Sequence, residues 1–145
     1  MSDQLLAEAH RFLAWARERG ARLDGTDESV WFVQGVLESM ADDPDEDPSF
    51  RAVKCLGYSV YLAELLADTC TGVERVIDGE GMGLNEVLAV REGGAMQFTL
   101  TWVQRCLDDP KSDNIVFKYA GALRDFGEHE RSKALNAELR EATKH

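Results

Sequence analysis

Glu64 and Asp68 stand one helical turn apart, at i and i+4, in the stretch YLAELLAD, where carboxylates sit among apolar residues. A carboxyl in such surroundings can acquire a raised pKa and work as a general acid or base. The structural alternatives are a solvent edge of the same helix, an arginine partner, or a hydrogen bond to a backbone amide. Together with Tyr58 and Tyr61, Glu64 marks a candidate pocket for a small enzyme or ligand-binding domain, set between this helix and a sheet.

Other chemistries each lack a residue. The glycine cluster DGEGMG, residues 78–83, has neither the Lys-Ser/Thr end of a P-loop nor the spacing of a dinucleotide loop, and a hairpin between strands accounts for its glycines. His10, His129 and His145 are scattered, and no H-E-x-x-H or His/Cys cluster is present, so no metal site and no cofactor are expected. Cys55, Cys70 and Cys106 are odd in number and widely spaced, which reads as buried, reduced thiols. Cys55 follows Lys54 and Cys106 follows Arg105, but sequence neighbours point to different faces of a helix, so no activated nucleophile is expected.

Charge is the strongest signal. The 145 residues carry a net charge of −11, and from Asp24 to Asp47 there are nine acids and no Lys or Arg. Residues 1–70 hold 6 basic and 14 acidic groups, net −8, against 10 and 13, net −3, in the remainder. Such a field repels phosphate, so nucleic-acid or anionic-membrane binding is not expected. The loop Asp42, Asp43, Asp45, Glu46 and Asp47 lacks the alternating ligands and mid-loop glycine of an EF-hand. It reads either as a solvated loop or as a surface that steers a basic protein partner. Trp31, one residue off an apolar helical stripe, is either a core residue or the aromatic anchor of that surface.

These residues must be held by a frame, and the periodicity supplies one. With 44% apolar and 30% charged residues, the chain is expected to fold as one domain over 1–145. Ser2 or Asp3 can cap a first helix stopped at Gly20, with Leu5, Leu6, Ala9, Phe12, Leu13 and Ala16 at three- and four-residue steps. A second helix starts at Thr26 or Asp27 and ends near Ala41. Asp47 and Pro48 predict the cap and first turn of a third helix to about Thr69, with Phe50, Val53, Leu56, Val60, Ala63 and Ala67 on one face. VERVID, NEVLAVRE and AMQFTLTW alternate with glycine turns and predict a three-stranded antiparallel meander. A short helix over Trp102–Leu107, a helix capped by Ser112 or Asp113, and a polar helix from Glu128 to Lys144 complete an α+β fold. The first twenty residues read as an amphipathic helix rather than a secretory signal, and Val60–Ala67 is far short of the roughly 20 residues of a bilayer span. A cytoplasmic location is expected.

From Ser59 to Tyr119 the order of features resembles small, largely actinobacterial domains of unknown function. In these a helix with a Gly-x-Tyr-x-Gly-Glu signature precedes a small antiparallel sheet and a helical end. The matching residues are Ser59, Tyr61, Ala63 and Glu64, then Phe98, Trp102-Val103, Leu107, Asp113 to Ile115 and Tyr119; Ser59 and Ala63 replace the two glycines. The resemblance implies no established activity. The layout is also similar in class to toxin-immunity proteins, which are small, acidic and non-catalytic. The expectation is a non-enzymatic protein-binding domain, an immunity or adaptor protein, using its acidic face. The Glu64 pocket is the alternative, and an exposed apolar surface making a homodimer is a third possibility.

Overall fold

Each helix begins or ends where a residue satisfies its orphan backbone groups, and the computed structural model, which describes residues 2–78 and 86–143, shows which residues do so. Helix α1 spans Ser2–Glu18 and stops at Gly20, whose φ of +91° lets the Gly20 and Ala21 amides return to the Arg17 and Ala16 carbonyls. Helix α2 covers Ser29–Ala41 and α3 Pro48–Thr69. The α3 cap is the expected one: Asp47 Oδ1 accepts from the Ser49 amide at 3.0 Å, with Pro48 in the first turn. Strands β1 (Val73–Asp78), β2 (Glu86–Arg91) and β3 (Met96–Phe98) form an antiparallel sheet in the order β1-β2-β3. Helices α4 (Thr99–Asp108), α5 (Ile115–Asp125) and α6 (His129–Thr143) follow, and the fold is α+β.

Three expected boundaries are corrected. Helix α2 starts at Ser29 rather than at Thr26 or Asp27, because the Asp27 carboxylate is engaged by Arg131 and Tyr119 and is not available as a cap. The third strand is three residues long and gives way to α4 at Thr99, where a helix was expected only from Trp102. The cause is a cap from another element: Glu86 Oε1, on β2, accepts from the Leu100 and Thr101 amides at 2.9 and 3.2 Å, and Oε2 accepts from Thr101 Oγ1. Helix α5 is capped by Asn114, whose Oδ1 accepts from the Phe117 amide, because Asp113 pairs with Lys118 instead. The glycine cluster lies mostly outside the described residues; the strands flanking it pair antiparallel from Val73↔Arg91 to Asp78↔Glu86.

The core forms around α3, whose residues 57–63, Leu65 and Leu66 are buried between α1, the sheet and α4. Helix α1 crosses α3 with the Phe12 ring against Gly57, where a Cβ would stand 2.4 Å from Phe12 Cδ2. Only a residue without a side chain permits that approach. On the far side, buried Gln34 ties three helices. Its Oε1 accepts from the Ile115 amide at 2.8 Å and faces Cys106 Sγ, while Nε2 donates to the Pro110 carbonyl and Glu38.

Candidate functional site

Glu64 is held from two sides. His10 Nε2, from α1, lies 3.0 and 2.9 Å from its two oxygens, and Arg75 Nη1, from β1, donates to Oε2 at 2.7 Å. Tyr61 is equally committed: its hydroxyl accepts from the Gly25 amide and shares a 2.6 Å hydrogen bond with Ser29 Oγ. A cleft of about 360 Å³ adjoins Tyr61 and Glu64, walled by Arg17, Asp24, Leu65 and Asp68. Its other wall is the α1–α2 connection, not the sheet. Tyr58 lies elsewhere, buried edge-on against Phe12 at 5.4 Å between ring centres, and burial pushes its phenol up to about 12. The three residues expected at one pocket therefore occupy two places.

The acidic loop divides by role. Asp47 caps α3, and Glu46 is ion-paired with Lys54 and lies 3.8 Å from Arg51 Nη1. The side chains of Asp42, Asp43 and Asp45 are exposed and have no ion-pair partner among the described residues. Trp31 is not beside them. It stands at the opposite end of α2, eleven residues and about 16 Å along the axis from Asp42, half-buried with Nε1 donating to Glu138 at 3.1 Å.

Aromatic residues that do flank the loop come from α1 and α3. Lys54 Nζ reaches from Glu46 over the Phe50 ring, 4.6 Å from its centre, and Phe50 meets Trp15 edge-on at 5.8 Å. Trp15 is 42% exposed and Phe50 37%, with Arg19 stacked on the indole at 4.2 Å. This edge continues into a groove along the α1–α3 seam. A shallow part of about 330 Å³, lined by Arg11, Phe12, Trp15 and Phe50, shares Glu8 and Val53 with a deeper cleft of about 440 Å³. The deeper walls are Leu5, Leu56, Ile77, Val87 and Leu100, and its charged lining residues, Glu8, Asp78 and Glu86, are all carboxylates. Sequence reasoning placed Leu5 and Phe50 on core faces. Both are 37% exposed, because each face extends past the crossing point of the two helices.

The densest polar cluster was also missed. Arg131 on α6 grips Asp27 through Nε to Oδ2 at 2.9 Å and Nη2 to Oδ1 at 2.7 Å, Tyr119 donates to Oδ1 at 2.8 Å, and Arg131 also reaches Thr69 and Glu128. Burial opposes ionisation of Asp27, but the guanidinium and the phenol outweigh it and hold the carboxyl below its ordinary value. Burial and the Asp27 charge push the Tyr119 phenol up. Donors and acceptors are matched within this cluster, so it acts as a clamp joining the start of α2 to α3, α5 and α6. Burial likewise raises the thiols of Cys55, Cys70 and Cys106, the last to about 11, opposite to what a nucleophile needs.

Among the described residues, no group of three or more His, Cys, Asp or Glu is placed to hold a metal ion, and no helix is long and apolar enough to cross a membrane. No protein-family model, no curated protein and no solved structure matches the chain, so the functional reading rests on its own geometry.

Proposed function

We propose that the protein is a non-enzymatic binding module, of the immunity or adaptor kind, that receives a basic protein partner on the surface around Asp42, Asp43 and Asp45. The observation that supports this reading is a run of three exposed carboxylates, without an ion-pair partner among the described residues, in the loop whose Glu46 is tied through Lys54 to the exposed Phe50–Trp15 pair. Carboxylates steer a basic partner and set its orientation, while desolvated aromatics supply affinity. Trp31 lies too far from the loop to share this contact. Affinity capture from the native host at low salt, followed by titration of the captured basic protein, tests the reading. The Asp42→Asn, Asp43→Asn, Asp45→Asn triple variant should bind more weakly and with a shallower salt dependence; equal affinity and equal salt dependence would overturn it. Glu46 and Asp47 are left intact because they hold α3.

One observation favours a second reading, a small-ligand site: the cleft beside Tyr61 and Glu64 also presents the exposed Asp68 and Asp24. A cationic ligand would suit it. A ligand screen read by thermal shift, repeated on Asp68→Asn, tests this; stabilising hits unaffected by the substitution would dismiss the cleft.

A further inference from the structure

We propose that the cleft between the turn leading into α5 and helix α6 binds a small phosphate-bearing molecule with a planar ring, the chemistry shared by nucleoside monophosphates and aryl phosphates. The cleft holds about 420 Å³, within the range of about 300–1,000 Å³ usual for small-molecule sites. It shares no described lining residue with the acidic loop or the cleft beside Tyr61, so each reading can fail alone. In a chain of net charge −11, its charged lining residues among those described are Lys111 and Arg140, both basic. Neither has an ion-pair partner among the described residues; Asp109 attracts Lys111 without pairing with it. The acids that neighbour these residues in the sequence are held elsewhere. Asp109 accepts from the Ser112 amide, Asp113 is paired with Lys118, Glu138 accepts from the Trp31 indole, and Glu141 is engaged as well. Two neutral donors remain in the lining. The Asn136 side chain makes no hydrogen bond among the described residues, and Asn114 uses only Oδ1, on the Phe117 amide, which leaves its Nδ2 to donate. The same cleft supplies an apolar platform: Phe117, at 64%, is the most exposed large apolar residue of those described, and half-buried Leu139 shares the lining. A guanidinium and an ammonium suit a doubly charged oxyanion, and an open phenyl face stacks a planar ring. The overall negative charge does not forbid this, because exposed charges more than about 8 Å away are largely screened at physiological salt and the nearest ones decide.

The probes are adenosine monophosphate and phenyl phosphate, with inorganic phosphate and adenosine as controls, titrated into the full chain at physiological salt. Binding is followed by calorimetry and by amide shifts at residues 111–118 and 136–143. At least one ring-bearing phosphate should bind there, with inorganic phosphate and adenosine at least about tenfold weaker. A preference for adenosine monophosphate assigns the nucleoside source and a preference for phenyl phosphate the aryl one. Ring-bearing phosphates that shift none of these amides, or that bind no better than inorganic phosphate, overturn the proposal. The variants separate the cleft from diffuse charge. Lys111→Gln, Arg140→Gln and Phe117→Ser alter exposed side chains and should each weaken binding about tenfold, whereas Arg22→Gln removes an exposed positive charge outside the lining and should leave it unchanged. Equal losses for Arg22→Gln and the two cleft cations, or full binding by Phe117→Ser, overturn it. Removing residues 144–145 should also leave affinity unchanged; a gain of about tenfold would mean that the chain's own end fills the cleft, and the proposal falls.

Discussion

Breaking the Asp27–Arg131 clamp should cost more than any other single polar change at the surface. Asp27 and Arg131 side chains are 21% and 27% exposed, and two charge-assisted hydrogen bonds of 2.9 and 2.7 Å join them. Removing one partner of a fully buried pair costs about 3–5 kcal/mol, and the solvent reaching this pair recovers part of that. Asp27→Ala should therefore lose about 2–3 kcal/mol. For a chain of this size that lowers Tm by about 5–10 °C. Arg131→Met, which keeps an apolar stem, should lose a similar amount, and the double variant should lose far less than the sum. Urea denaturation of the four proteins, followed by circular dichroism, gives the coupling free energy; about 1.5 kcal/mol is expected. Because the folded-state carboxyl of Asp27 lies below its unfolded value, its stabilisation is fully present above the unfolded pKa near about 4 and is lost as pH falls through the folded pKa. The gap between the parent protein and Asp27→Ala should accordingly narrow below about pH 4. A coupling under about 0.5 kcal/mol at pH 7, or a gap that widens in acid, would refute the reasoning.

Gly57→Ala should destabilise by about 1–2 kcal/mol despite alanine's better helix propensity, because the new Cβ meets the Phe12 ring at 2.4 Å; a shift of Tm upward would show that the ring moves aside freely. Glu86→Ala removes the acceptor for the Leu100 and Thr101 amides and should cost about 1–3 kcal/mol, with accelerated hydrogen exchange at those two amides as the specific sign. Cys70 and Cys106 should resist alkylation by iodoacetamide at pH 8 in the native protein and react once it is unfolded, as read by mass spectrometry; native-state labelling of Cys106 faster than of a free thiol would contradict its burial and raised pKa.

What the sequence disclosed follows the range of the interactions involved. The Asp47-Pro48 start of α3 and the Gly20 stop of α1 are local devices, complete within six residues, and they were legible in the sequence. The meander was legible as alternation between short β-prone runs and glycine turns, although its third strand was overestimated. The Thr99 start of α4 was not, since its cap sits thirteen residues upstream on another element. Asp27 looked like an N-cap because serine, threonine and aspartate in a turn usually are one. Its actual partner is 104 residues away, and nothing in the spacing announces it. Glu64 was recognised as exceptional for a sound reason, a carboxylate in an apolar stretch. Whether it would be free or held depended on His10 and Arg75, which only the packing of α1 and β1 brings to it. The acidic segment was legible as charge but not as function, because Asp47 and Glu46 are consumed by α3, whereas the aromatics beside the loop come from α1 and from the α3 face read as core.

The cap supplied by Glu86 carries a consequence for how the chain acquires its shape. An ordinary N-cap forms with its own helix on the timescale of a local turn, but the first turn of α4 is complete only after β2 has docked beside it, and Thr99 Oγ1 must also reach the Ser59 and Val87 carbonyls. Formation of α4 is thus tied to assembly of the sheet against α3. The Leu100 and Thr101 amides should exchange with solvent through a shared opening with the central strand rather than by end fraying, making α4, β2 and the middle of α3 one cooperative unit.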